Sequence, residues 1–149
     1  LVAVTPASGF AGPMGSVVLG LIVSPICFFF VSTVKSKFGY DDALDVFGVH
    51  AIGGITGALA TGILANPALG GQGVTDYAAK PGTGVTAAYN TAAQMISQCW
   101  GVGTTIVWCG VISAILYFAI NMVFGLRPSA EVETEGLDIA EHGERAYHY

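Results

Sequence analysis

The chain has 149 residues, of which 53% are hydrophobic and only 10% are charged, and its formal net charge is −5. Soluble domains carry about 25% charged residues, so this composition excludes a soluble globular domain and predicts a protein of the lipid bilayer. The 21 glycines agree with that class, because helices in lipid associate through small residues that let their backbones approach closely.

The first segments of the chain have the pattern of membrane spans. The sequence begins at Leu1 without a methionine or a signal peptide, so we expect a piece of a longer protein. Residues 1–10 would be the outer end of an earlier span, broken by Pro6, and residues 12–34 would form a complete span. Small residues recur at every fourth position there and predict packing against another helix: Gly12, Ser16, Gly20 and Ser24.

Two further spans are predicted, at residues 46–65 and 94–126. The first of these has 20 residues without Asp, Glu, Lys or Arg, which make about 30 Å of helix, the thickness of one hydrocarbon core. The second is longer than a bilayer requires, so it should tilt or extend beyond the membrane. The sequence therefore predicts an all-α, polytopic transmembrane helix bundle.

Basic residues predict the orientation of the spans. Lys35 and Lys37 close the first complete span and Arg127 closes the last, and loops rich in Lys and Arg remain on the cytoplasmic side. We therefore expect a transmembrane region at residues 1–126, with an external loop at 66–84. Residues 127–149 would form a cytoplasmic C-terminal tail.

The tail differs in composition from the rest of the chain. Six of the ten acidic residues lie between Glu131 and Glu144, which is typical of a solvated terminus. Gly136 and Gly143, however, flank a short Leu-Asp-Ile-Ala-Glu-His run that predicts a defined turn or a short helix. Both glycines would then need positive backbone angles, and we expect the tail to be ordered against the cytoplasmic face.

His50 is the only histidine in the hydrophobic part of the chain. Helical spacing places it on one face with small or apolar neighbours: Val46, Gly53, Gly54, Gly57 and Thr61. Because ionisable groups in lipid are costly, such a residue is a functional candidate. Three interpretations remain open from spacing: a side chain bonded to a backbone carbonyl or hydroxyl, part of a proton or ligand path, or a haem ligand.

Other candidate groups have simpler interpretations. Asp41, Asp42 and Asp45 precede the span of His50, where carboxylates cap free amides, and we expect Asp45 to make this cap. The alternative for Asp45 is a buried, functional carboxylate. The three cysteines have no metal-ligand or disulfide spacing and predict small core residues: Cys27, Cys99 and Cys109. We expect no metal ion here, and no cofactor unless His50 is a haem ligand.

Three strings along the chain resemble the ammonium transporter family, the Amt/Mep/Rh group. Residues 41–54, Asp-Asp-Ala-Leu-Asp-Val-Phe-Gly-Val-His-Ala-Ile-Gly-Gly, resemble its signature, and residues 1–7 look like its eighth span. The tail is similar to that of microbial members at Glu135, Gly136, Leu137, Asp138, His142, Gly143, Glu144, Ala146 and Tyr147. The match runs the whole length of the chain, and the loop 66–84 alone has no recognisable pattern.

The resemblance implies a bundle of eleven spans built on an inverted repeat and assembled as a homotrimer with one pore in each subunit. This chain would supply the end of span eight, spans nine to eleven and the tail. His50 would be the second of two hydrogen-bonded histidines in a hydrophobic pore, and Val46 would line that pore. Asp45, Gly53, Gly54 and Gly57 would be structural residues near the site. The first histidine and the aromatic gate belong to N-terminal spans outside this chain.

The function implied is transport of ammonium or ammonia across the cell (inner or plasma) membrane, with ammonium deprotonated during passage, and not an enzymatic reaction. The alternatives are an ammonia gas channel like the Rh proteins, or an ammonium sensor that acts through the tail in nitrogen metabolism. The implied partners are the lipid bilayer, the N-terminal spans and a PII-type regulatory protein, and no nucleic acid. That protein would contact the matched tail residues from Gly136 to Tyr147.

Overall fold

The computed structural model describes residues 1–75 and 88–145, and all regular elements in these ranges are helices. Three helices are long and apolar enough to cross a membrane: the first span Pro13–Phe38, the second span Phe47–Leu64 and the third span Thr91–Val123. The predicted class is confirmed, since this is an all-α, multi-pass membrane helix bundle. The chain forms two compact units, residues 1–105 and 106–149.

The first span is built from three helical pieces. Helix α1 (Val4–Ala7) precedes it, and the span itself consists of α2 (Pro13–Phe29), a π-helical turn Phe30–Val34 and α3 (Lys35–Phe38). Pro13 lies at the start of the helix, where its missing N–H would have no intrahelical partner in any case. The span ends at Gly39, whose φ of +62° is the left-handed conformation that commonly closes helices.

The second span begins with another π-helical turn, Phe47–Ala51, and continues as α4 (Ile52–Leu64). Residue 66 then starts a short 3-10 turn, Pro67–Leu69. The third span is one continuous helix, α5 (Thr91–Val123). Its predicted range of 94–126 thus compares with an observed helix that begins and ends three residues earlier.

Helix α4 packs on α1 through a face of small residues. Gly53, Gly57 and Thr61 are all buried. A Cβ atom at Gly57 would collide with the backbone carbonyl of Ala3, and one at Gly53 would lie 3.6 Å from a methyl carbon of Val2. At Gly57 the two backbones can therefore lie this close only because the position lacks a side chain.

Around this contact lies a small apolar core. Ala3, Ala7 and Leu19 are its buried members, and partly buried residues pack against them: Ala11, Val23, Ala60 and Leu64. The first span thus uses the face of Leu19. Within its predicted small-residue stripe, Gly20 and Ser24 are exposed, Ser16 is partly buried, and Gly12 lies against the backbone of Gly70.

The end of the second span is tied to the start of the third. The Tyr89 hydroxyl donates to the Gly62 carbonyl at 2.8 Å, and the Asn66 amide donates to the Thr91 hydroxyl at 3.3 Å. Burial raises the pKa of Tyr89, so the phenol keeps its proton and remains a donor. The sulfur of Met95 also lies 2.7 Å from where a Cβ on Gly62 would be.

We predict that Gly57→Ala destabilises the protein by about 1–3 kcal/mol, because the new methyl group would collide with the backbone of Ala3. Gly54→Ala is the matched control one turn earlier. A Cβ there meets nothing within 4 Å, so the variant should gain up to about 1 kcal/mol of helix propensity. Thermal unfolding midpoints in detergent measure both effects, and equal midpoints for the two variants would contradict the packing described here.

Candidate functional site

His50 lies within the π-helical turn that opens the second span. The N–H of Ile52 closes this turn by donating to the Phe47 carbonyl five residues back. The imidazole is exposed in this chain, although the surrounding span has no formally charged residue. Single π-turns inside α-helices are frequent at functional sites, and here the turn presents an ionisable side chain from an apolar helix.

The face predicted around His50 is divided in the structure. Gly53 and Gly57 are buried on α1, whereas His50 and Val46 are exposed and Gly54 borders open space. The extra residue in the π-turn explains the division, because the 3.6-residue spacing does not hold across it. His50 and Val46 therefore share an open face that differs from the packing face of the glycines.

Phe47 and Gly48 of the same turn contact the first span and the residue Tyr40 that follows it. The ring of Phe47 makes edge-to-face contacts with Phe30, at a centroid distance of 6.4 Å, and with Tyr40, at 5.5 Å. Gly48 is buried, and a Cβ there would lie 2.6 Å from a methyl group of Val31. The two π-helical turns thus pack on each other, and this contact leaves the face of His50 uncovered.

The predicted role of Asp45 is wrong. The cap is made by Asp42, whose carboxylate accepts the amide N–H of Val46 at 2.8 Å and that of Phe47 at 3.0 Å. Asp45 has a φ of +56°, and its carboxylate accepts the ammonium of Lys35 at 2.7 Å. Asp45 thus forms an ion pair with a lysine of the preceding span and makes no side-chain cap.

Lys35 is a residue whose contacts sequence reasoning missed. In the sequence, Lys35 indicates only the orientation of the first span. In the structure, its Nζ donates to the Asp42 carbonyl at 2.6 Å as well as to the Asp45 carboxylate. Its two partners are seven and ten residues away along the chain, so no helical spacing indicated the pair. A cation at the end of an apolar span, close to three acidic residues, was the available signal.

Among the described residues, no group of three or more His, Cys, Asp and Glu side chains could hold a metal ion. The three cysteines are free thiols in two different settings. Cys27 is partly buried near Gly53, whereas Cys99 and Cys109 are exposed on α5. Among these three, Cys27 alone has the burial expected of a core residue within this chain.

The tail contains two short helices, α6 (Ala130–Glu135) and α7 (Leu137–His142). The predicted short helix is confirmed as α7, and so are the positive backbone angles of its flanking glycines, +109° at Gly136 and +65° at Gly143. The amide of Glu144 donates to the Asp138 carbonyl at 2.9 Å and holds the end of this helix. Tyr147, the remaining predicted contact residue, lies outside the described residues.

Comparison with known proteins gives one consistent result. Residues 1–147 match the profile of the Ammonium Transporter Family. Proteins named ammonium transporter are 44% identical in Aquifex aeolicus, over 99% of this chain and 32% of the relative, and 37% identical in Bacillus subtilis, over 99% and 34%. One in Mycobacterium tuberculosis is 36% identical over all of this chain and 30% of its own length. The chain thus spans about a third of these relatives.

We predict that Asp42→Ala removes the cap of the second span and costs about 0.5–2 kcal/mol, while Asp42→Asn keeps most of it. Hydrogen exchange at the amides of Val46 and Phe47 measures this directly. Exchange should accelerate more in Asp42→Ala than in Asp45→Asn, because Asp45→Asn leaves the accepting carboxylate of Asp42 in place. If exchange at these amides accelerated in Asp45→Asn but not in Asp42→Ala, Asp45 and not Asp42 would be the cap.

Proposed function

Because this chain belongs to the Ammonium Transporter Family, we propose that it forms the last three spans and the cytoplasmic tail of a protein that transports ammonium or ammonia across the cell membrane. The names of its relatives support this activity. The remaining spans would come from residues outside this chain, in an eleven-span subunit of a homotrimer.

The observation that carries the proposal is the exposed imidazole of His50 in a span without formally charged residues. An ionisable group facing lipid tails would be costly, and such groups normally face a bundle interior or a cavity. The open face of His50 and Val46 would accordingly line a pore closed by the upstream spans. A second histidine from those spans would share a hydrogen bond with His50.

Such a pore would separate ammonium from potassium by chemistry, because the two ions are similar in size and both are costly to dehydrate. Apolar walls such as the side chain of Val46 exclude either cation. Only ammonium can give up a proton and continue as neutral ammonia, which needs little hydration. An imidazole exchanges protons near neutral pH and offers both a donor and an acceptor, so His50 fits the place where ammonia passes.

A second candidate function is supported by the ordered tail. Two helices and two glycines with positive φ give residues 130–143 a defined shape, which a purely solvated terminus would not need. We propose that the tail contacts a PII-type regulatory protein through the matched residues in 136–147: Gly136, Leu137, Asp138, His142, Gly143, Glu144 and Tyr147. A protein that senses ammonium through this tail would be the alternative to a transporter.

We predict that His50→Ala in the full-length protein abolishes ammonium transport or removes its discrimination against potassium, because the pore loses its proton-exchanging group. His148→Ala, which removes a histidine outside the spans to which no contact is assigned, is the matched control and should leave both properties unchanged. Currents from proteoliposomes after ammonium and potassium pulses measure them. Ammonium uptake without current in the wild type would favour the gas channel, and unaltered transport and selectivity in His50→Ala would refute the role of His50.

For the tail, we predict that deletion after Arg127 ends binding of a PII-type protein and lowers transport while the protein stays in the membrane. Gly143→Ala should weaken that binding, since it strains a left-handed residue by about 1 kcal/mol, and Gly143→Asn should restore much of it because asparagine tolerates this conformation. Binding is measured by co-purification and calorimetry. Full binding and full transport after the deletion would make the tail a simple solvated terminus.

A further inference from the structure

We propose that Lys35 is a positioning residue for His50. Its ammonium group fixes the turn from which the π-helical turn Phe47–Ala51 starts, and thereby fixes the direction of the imidazole. The inference rests on the proposed function of His50 and adds to it a residue on another span.

The contact geometry places Lys35 between two parts of that turn. Its Nζ donates to the Asp42 carbonyl at 2.6 Å and to a carboxylate oxygen of Asp45 at 2.7 Å. Lys35 belongs to the last part of the first span, whereas both acceptors immediately precede the second span. The side chain thus links the two spans at the point where the second one begins.

The turn that Lys35 holds has a strained backbone. Asp45 has a φ of +56°, and no other non-glycine residue in 1–75 and 88–145 has a positive φ. Such conformations persist where the surroundings over-determine them, and they cluster at functional sites. Here the amide of Asp45 donates to the Asp42 carbonyl at 3.1 Å, and its side chain is held by Lys35.

From this turn, direct hydrogen bonds lead towards His50. The carboxylate of Asp42 accepts the amides of Val46 and Phe47, and the carbonyl of Asp45 accepts the amide of Val49 at 3.0 Å. Three of the four residues before His50 therefore have their amides bonded to the turn held by Lys35.

Tight packing between the two π-helical turns makes the orientation of the His50 imidazole sensitive to a shift of the turn that Lys35 holds. Gly48 lies so close to Val31 that even a methyl group would not fit between them. Without the ammonium, the Asp45 carboxylate would lose its cation and Asp45 could relax from its strained conformation. The π-helical turn would then start from a different position against a tightly packed neighbour, and His50 would rotate on its open face.

The test uses proteoliposomes of the full-length protein and measures maximal ammonium current, the half-saturating concentration and the ratio of ammonium to potassium current. Lys35→Met should lower both the maximal current and the ratio of ammonium to potassium current by about tenfold, which is within the range that misplaced functional groups cause. The half-saturating ammonium concentration should change less. Lys35→Arg should recover most of the loss, because it restores a cation that can donate to both acceptors. Lys37→Met, an exposed lysine on the same helix, is the matched control and should behave as the wild type.

Asp45→Asn provides the second test, because it removes the carboxylate charge while keeping the size of the side chain and its tolerance of positive φ. If Lys35→Met fails to assemble, this variant alone tests the role of Lys35. It should reproduce the Lys35→Met phenotype, and the double variant should be no worse than either single one. Two results would overturn the role of Lys35 and leave the proposed function intact. One is unchanged selectivity in an assembled Asp45→Asn variant. The other is unchanged selectivity in Lys35→Met while His50→Ala abolishes transport. Unaltered transport in His50→Ala would overturn both.

Discussion

The arrangement of the first unit depends on the close approach of two backbones at Gly57. A side chain at this position would collide with the Ala3 carbonyl, so α4 can lie against α1 only through its glycine face. That contact determines which side of the second span is used for packing within the chain. His50 and Val46 are consequently left on a face that these elements do not cover. In lipid, where burial of apolar surface between helices provides little driving force, such close contacts are a main source of association.

The packing of the second span matters for the proposed transport because it leaves the face of His50 uncovered. An imidazole in the hydrocarbon region needs a partner or a cavity, and its use in proton exchange needs a defined direction. Three sets of contacts hold the turn that sets this direction: the cap by Asp42, the ion pair between Lys35 and Asp45, and the mutual packing of the two π-helical turns. The ion pair between Lys35 and Asp45 is compatible with an apolar passage, because both side chains remain about one-third exposed at the end of the spans.

The sequence predicted the fold class, the short helix α7 and the positive backbone angles at Gly136 and Gly143, since glycine content and local runs determine these features. It did not predict which aspartate caps the second span. That choice depends on the φ of Asp45 and on Lys35, ten residues away on another span. It also placed His50 on the glycine face, because a regular helical period contains no signal for a π-helical turn. The packing of the small-residue stripe through Gly20 stays a prediction, because spacing identifies a face that could pack but not whether this chain supplies the helix that packs against it.

The central claim is that the uncovered face of His50 lines a pore. An experimental structure of the full-length protein in lipid tests it most directly, through the surroundings of the His50 side chain. The account predicts that His50 faces a narrow, apolar passage and lies within hydrogen-bond distance of a second histidine from a span outside this chain, with Val46 on the same passage. A His50 side chain that faces lipid, or that is enclosed between helices and bonded only to a backbone carbonyl, would contradict it.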